Sequence, residues 1–148
     1  MEGHSDGVYS VAIDGDRIVS GSDDNTVKIW TTEGECIKTL EGHSDDVYSV
    51  AIDGDRIVSG SEDKTIKVWN TEGECIKTLE GHSGSVNCVA IDGDQIVSGS
   101  DDNTIKIWNT EGECIKTLEG HSGSVLSVAI DGDRIVSGSW DNTVQVWK

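Results

Sequence analysis

Glu41–Leu79 reads EGHSDDVYSVAIDGDRIVSGSEDKTIKVWNTEGECIKTL, and these 39 residues decide the fold. Four short β-prone runs lie in it, each bounded by a turn. Val47–Ile52 is the first and Arg56–Ser61 the second, joined by Asp53-Gly54-Asp55. Asp-Gly between two such runs signals a hairpin, because glycine takes a positive φ at no steric cost. Thr65–Asn70 is the third, with Ile66 and Val68 on one face and Lys67 and Trp69 on the other. Glu74–Leu79 is the fourth, entered through the Glu72-Gly73 turn. No stretch carries the 3.6-residue apolar period of a helix.

The unit recurs over 2–40, 80–118 and, shortened to 30 residues, 119–148, so Met1 and four copies account for all 148 residues. The first run is the most apolar and the last the most polar, which predicts a sheet with a buried inner strand and a wet outer one. An isolated sheet of this kind has two sticky faces, and repetition lets neighbours cover them. The expected fold class is therefore all-β: a β-propeller of four four-stranded blades over 2–40, 41–79, 80–118 and 119–148. The fourth lacks the nine residues that match Thr71–Leu79 and with them its outer strand.

The Gly-His pairs (Gly3-His4, Gly42-His43, Gly81-His82, Gly120-His121), the SGSxD segments and the tryptophans Trp30, Trp69, Trp108 and Trp147 resemble those of WD40 repeats. One feature departs from that family: the aspartate that usually follows the tryptophan is Thr31, Asn70, Asn109 or Lys148. The resemblance implies a hydrogen-bonded tetrad inside each blade, from Trp to Ser to His to Asp. The four sets are His4, Ser20, Asp24, Trp30; His43, Ser59, Asp63, Trp69; His82, Ser98, Asp102, Trp108; and His121, Ser137, Asp141, Trp147. The same residue types compose a hydrolytic triad. Four equivalent copies with no GxSxG elbow argue instead for structure, and no catalytic residue is expected.

Composition narrows the classes further. With 34% hydrophobic and 26% charged residues, no apolar run approaches the roughly 20 residues that span a bilayer. The opening Met1-Glu2-Gly3-His4 carries no secretory signal, so a cytoplasmic location is expected. A net charge of −17 repels a phosphate backbone, which excludes nucleic acid as a partner and favours basic peptides or proteins. Cys36, Cys75 and Cys114 are one position copied at intervals of 39, and Cys88 stands where other copies carry Ser10, Ser49 and Ser127. None forms a metal-binding spacing, and the Asp-Gly-Asp turns lack that of an EF-hand, so no metal and no cofactor are expected.

Differences between copies are concentrated in a few places. The last nine unit positions are identical in the three copies that have them, whereas variation gathers at the start of the first strand and at the turn between the second and third. The series Tyr9, Tyr48, Asn87, Leu126 and Asp23, Glu62, Asp101, Trp140 resemble the positions that ring one face of a WD40 disc, where partners dock. They form a candidate partner-binding face, with Trp140 as the exposed aromatic anchor.

Blades of this family resemble those of rings with about seven members, so four leave the circle half open. The N-terminus begins past the point where a strand completing blade 4 would lie. The expected remedy is a homodimer closing an eight-bladed ring. Near-identical copies further resemble an engineered or excised fragment of a recently amplified propeller.

Overall fold

The computed structural model describes residues 2–147; Met1 and Lys148, including the departure from the family pattern at Lys148, lie outside the described residues. The first sheet comprises β1 (Val8–Asp14), β2 (Arg17–Ser22), β3 (Val27–Thr31) and β4 (Cys36–Leu40). The second comprises β5 (Val47–Asp53), β6 (Arg56–Ser61), β7 (Ile66–Asn70) and β8 (Cys75–Leu79). The third contains β9 (Val86–Asp92), β10 (Gln95–Ser100), β11 (Thr104–Asn109) and β12 (Cys114–Glu119). Only β13 (Val125–Asp131), β14 (Arg134–Ser139) and β15 (Val144–Trp147) form the fourth. Every sheet is an antiparallel meander in chain order. No helix long and apolar enough to cross a membrane occurs among the described residues.

The hairpin turns follow from local chemistry. Asp53 pairs with Arg56 across a two-residue loop, and Gly54 takes φ +63° at its first position while Asp55 does not go positive. That is the type II′ arrangement, whose twist matches the flanking strands.

Each sheet packs its face on the next. Val19, Val27, Ile29 and Leu40 of blade 1 meet Val47, Val50, Ile57 and Trp69 of blade 2 in one buried cluster. Val58, Ile66, Val68 and Leu79 meet Val86, Val89, Ile96 and Trp108 in the second, and Val97, Ile105 and Leu118 meet Val125 and Ile135 in the third. Polar bonds fix the register: the Gly54 N–H donates to Asp14 Oδ2 (2.7 Å) and the Val50 N–H to Ser10 Oγ (3.1 Å), with the same pair at the next interface.

The gradient of burial differs from the expectation of a buried inner strand. The second strand of each blade is the most enclosed, while the first is half-open along its length. The reason is geometric: the first strand is an edge of its sheet with one flank open, whereas the second is covered by a strand on both edges and by a blade on its face. Its glycine makes that coverage close. A methyl placed on Gly60 would lie 2.7 Å from Val86 Cγ1 and 3.0 Å from Val89 Cγ1, and Gly21 and Gly99 are equally tight.

Overpacking at such a contact typically costs about 1–3 kcal/mol. Gly60→Ala is accordingly expected to lower the urea-unfolding free energy by about that amount; an unchanged midpoint would show that the blades are not in close contact there.

Candidate protein-binding face and the network beneath it

Each blade has a loop before its first strand carrying His, a second strand carrying Ser, a turn carrying Asp and a third strand carrying Trp, and the structure draws the four together. In blade 3 the Trp108 Nε1–H donates to Ser98 Oγ (2.9 Å). Ser98 Oγ–H donates to His82 Nε2 (2.7 Å), and His82 Nδ1–H to Asp102 Oδ2 (2.8 Å). The direction follows from the Asp102 carboxylate, which accepts the Nδ1 proton and leaves Nε2 of the neutral ring to accept from the Ser98 hydroxyl. The chain Trp30, Ser20, His4, Asp24 has distances of 2.8, 2.7 and 2.9 Å, as does Trp69, Ser59, His43, Asp63. For Trp147, Ser137, His121 and Asp141 they are 2.9, 2.7 and 2.8 Å.

A fifth member escaped the sequence reading. Thr26, Thr65, Thr104 and Thr143 each donate their hydroxyl to the aspartate at 2.5–2.6 Å, and the same aspartate caps the threonine N–H. Recurrence of Thr two places after the Asp in every copy was the available signal. Burial pushes the Asp102 carboxyl up, but bonds from Thr104 and His82 outweigh it and hold it at about 2. Asp24 and Asp63 are lowered by the same balance, and Asp141 chiefly by Thr143. Burial lowers His82, keeping the ring neutral, as the bond direction requires. The four serines are buried, and each hydroxyl oxygen also accepts an indole proton, so these oxygens are closed to solvent in the folded chain.

Above this network lie the variable positions. In every blade the backbone N–H of the turn residue donates to the residue two before the first-strand position: Asp23 to Gly7, Glu62 to Asp46, Asp101 to Ser85 and Trp140 to Ser124, all 2.9 Å. The first-strand residue itself is a β-bulge. Val47 pairs with Ser61 and Ser49 with Gly60, leaving Tyr48 unpaired, and Tyr9, Asn87 and Leu126 occupy the same place. A bulge re-aims a side chain, and here it brings each one beside its turn residue.

The result is a row of unlike pairs. Tyr9 and Tyr48 meet edge-to-face across blades 1 and 2 with centroids 5.0 Å apart. Tyr48 donates its hydroxyl to Glu62, and Asn87 donates to Asp101 Oδ1 (2.7 Å) and to the carbonyl of Val125 in the next blade (3.1 Å). Hydrogen bonding to Asp23 raises the Tyr9 phenol, and bonding to Glu62 raises that of Tyr48. Asp45, Asp46 and Glu62 have carboxylate oxygens within 4.8 Å of one another. Burial, then the bond to Asp23 and the like charges of Asp23, Asp45 and Glu62, lift Asp46 to about 6. At the other end Trp140 is 70% exposed beside half-open Leu126. The face is thus acidic and phenolic over blades 1 and 2 and apolar over blade 4. Part of the acid is already engaged: Glu62 and Asp101 each accept a bond from their own blade.

The cysteines do not converge. Cys36, Cys75 and Cys114 are exposed, one on each outer strand, while Cys88 is buried and its thiol is pushed up to about 12 by that burial.

Comparison with known proteins matches the family described as WD domain, G-beta repeat over residues 1–31, 34–70, 73–109 and 112–148. The chain belongs to the WD40 family. Each full WD40 repeat joins the outer strand of one blade to the inner three of the next, so the repeats straddle the blade boundaries. Among curated relatives, an F-box/WD repeat-containing protein 7 from Drosophila melanogaster is 50% identical over 42 residues, 27% of this chain and 3% of that protein. A ribosome biogenesis protein BOP1 homolog from Drosophila grimshawi is 56% identical over 41 residues, 26% of this chain and 5% of that protein. This WD40 chain therefore matches a small part of either. A solved structure, the computationally designed Ika4 protein, superposes with TM-score 0.93 and 33% identity over 99% of this chain and 94% of its own.

Because His82 and Asp102 refuse protons in the folded chain that the unfolded chain accepts, their contribution to stability should fall with acid in two stages, opposed between about 6 and 4 by Asp46, which takes its proton more readily when folded. Below about 6.5, the unfolded value of histidine, the unfolded chain protonates where folded His82 resists. Below about 4, the unfolded aspartates take protons that folded Asp102 refuses until about 2. Urea midpoints measured between pH 7 and 3 check the slope; a midpoint flat across that window would contradict it. Ser98→Ala, which strands the Trp108 N–H and His82 Nε2, is expected to cost about 1–3 kcal/mol at pH 7.

Proposed function

We propose that this chain is a non-enzymatic WD40 propeller module that self-assembles, two copies closing one eight-bladed ring with blade 4 of each against blade 1 of the other. One observation carries the reading: the two uncovered faces are the two halves of the contact repeated at all three internal interfaces. On blade 1, Val8 (51% exposed), Val11 (68%) and half-buried Ile18 correspond to Val47, Val50 and Ile57, while Trp30, the counterpart of Trp69, stays buried beneath them. On blade 4, Val136, Val144 (71%) and Val146 (62%) correspond to Val19, Val27 and Ile29. A hollow of about 360 Å³ beside Val8, Val11, Ile18 and Trp30 has the position that a preceding blade fills elsewhere. Fully burying one valine is worth about 1.5–3 kcal/mol as an upper estimate, and a ring of two chains forms both contacts at once.

The buried networks are structural in this reading, holding each loop to its sheet. Near-identical copies and the likeness to a computationally designed protein support an engineered or excised segment of an amplified propeller. Three exposed free thiols suit the reducing cytosol.

The test is the solution mass. Light scattering should give twice 15.8 kDa, and a mass of one chain, or of three or more, overturns the dimer. Gly138 supplies the matching variant, since a methyl on it meets nothing within 4 Å, whereas its counterparts Gly21, Gly60 and Gly99 touch valines of the next blade. Gly138→Leu should leave the circular-dichroism spectrum unchanged and shift the mass to one chain; a persisting dimer would show that this face is not the contact.

A second reading rests on the row from Tyr9 to Trp140: a protein-binding scaffold in which a basic, aromatic-anchored peptide crosses the acidic pairs and ends on Trp140 and Leu126. Trp140→Ala should weaken a Lys/Arg-rich peptide carrying one large apolar residue by about tenfold or more in calorimetry. Equal affinity for the variant removes Trp140 from the face.

A further inference from the structure

One side-chain oxygen among the described residues is buried with no hydrogen-bond donor reaching it: Asp23 Oδ1, in the turn between the second and third strands of blade 1. Its neighbours are further acids. The Asp23 carboxyl reaches Asp46 across the junction of blades 1 and 2, and Asp46 shares a cluster with Asp45 and Glu62 of blade 2. Local bonds hold that cluster together. The Asp46 N–H donates to Asp45 Oδ1 (2.9 Å), the Glu62 N–H donates to the Asp46 carbonyl (2.9 Å), and the Tyr48 hydroxyl donates to Glu62 Oε1. These bonds engage one carboxylate oxygen of Asp45, one of Glu62 and neither of Asp46. The later blades do not repeat the arrangement, because Gly84-Ser85 and Gly123-Ser124 stand where blade 2 carries Asp45-Asp46.

We propose that the junction of blades 1 and 2 is a calcium site whose ligands are Asp23, Asp45, Asp46 and Glu62. Two oxygens bound to one calcium ion at about 2.3–2.6 Å lie no farther apart than about 5 Å, and the carboxylates of Asp45, Asp46 and Glu62 come within 4.8 Å of one another. Asp23 closes the set from the neighbouring blade. Carboxylates this close repel one another, and an orphaned oxygen under the face has lost its water without gaining a donor; a divalent cation offsets both costs. A lysine head does not, since Asp23 Oδ1 is closed to the solvent side from which its stem would arrive. Calcium also accepts irregular ligand sets drawn from separate segments, whereas magnesium holds to a near-ideal octahedron. Neither the cysteines nor the Asp-Gly-Asp turns take part. Three segments distant in the chain assemble the site, so residue spacing does not disclose it. All four ligands belong to one chain, which makes the site independent of ring closure. The ion ties blade 1 to blade 2 and cancels part of the charge at the acidic end of the face.

Calorimetric titration of the whole chain with calcium chloride at neutral pH tests this, with magnesium chloride in parallel. Expected are saturation at one calcium per chain, a Kd on the order of 10⁻⁴–10⁻³ M as befits a site completed by water, and weaker binding of magnesium. Asp46→Asn and Glu62→Gln should each weaken calcium by about tenfold or more. Asp16→Asn, in an exposed Asp-Gly-Asp turn outside the cluster, should leave it unchanged. Amide shifts in NMR spectra with calcium should gather at Asp23, Asp45, Asp46 and Glu62. Circular dichroism reports folding, and if Asp46→Asn alters that spectrum, Glu62→Gln decides. No saturable heat at millimolar calcium, unchanged affinity in the folded variant, or several weak ions per chain lost equally in Asp16→Asn would overturn the proposal.

Discussion

Face-to-face packing of one sheet on the next is the interaction from which everything else in this molecule follows. Gly21, Gly60 and Gly99 in the second strands of blades 1 to 3 let valines of the following blade approach to distances no side chain would permit, and the apolar clusters close around that approach. Because the contact is heterologous, with different residues on the two sides, every blade has a donor face and an acceptor face. A chain of such units always carries one of each uncovered unless it bends into a ring. The exposed valines of blades 1 and 4 are the direct result of that asymmetry rather than a defect of either blade.

The buried network answers a different difficulty. A loop must return across the end of each sheet to begin the next one, and its polar groups would be stranded under the disc face. The chain from tryptophan to aspartate satisfies them in sequence, each serine oxygen both accepting from the indole and donating to the histidine. The aspartate then caps the threonine and the loop residue after histidine, which binds three segments that are distant in sequence. Rigidity below makes variation above tolerable. The bulge residues and their turn partners are held in place by backbone bonds that do not depend on side-chain identity, so Tyr, Asn and Leu interchange at one position and Asp, Glu and Trp at the other.

Much of this was legible in the chain. Strand runs of the Val47–Ile52 and Arg56–Ser61 type, the Asp-Gly turns and the 39-residue period dictate four meanders, because alternation and turn chemistry are local properties. The variable positions were also readable, since comparing copies separates what the blade requires from what it permits. Less accessible were the bulge that presents Tyr48 beside Glu62, the threonine that completes the network, and the engagement of the acids by Tyr48 and Asn87, each of which depends on registers between segments.

By itself, then, the sequence determined the blade: four strands, their turns and the residue types at each end, all consequences of short-range stereochemistry and apolar patterning. Only the tertiary structure decided which strand is most deeply enclosed, which faces are left open and what lies beside Trp140. Those depend on how one twisted sheet seats against another, and that angle is set by the combined shape of many side chains rather than by any residue acting alone.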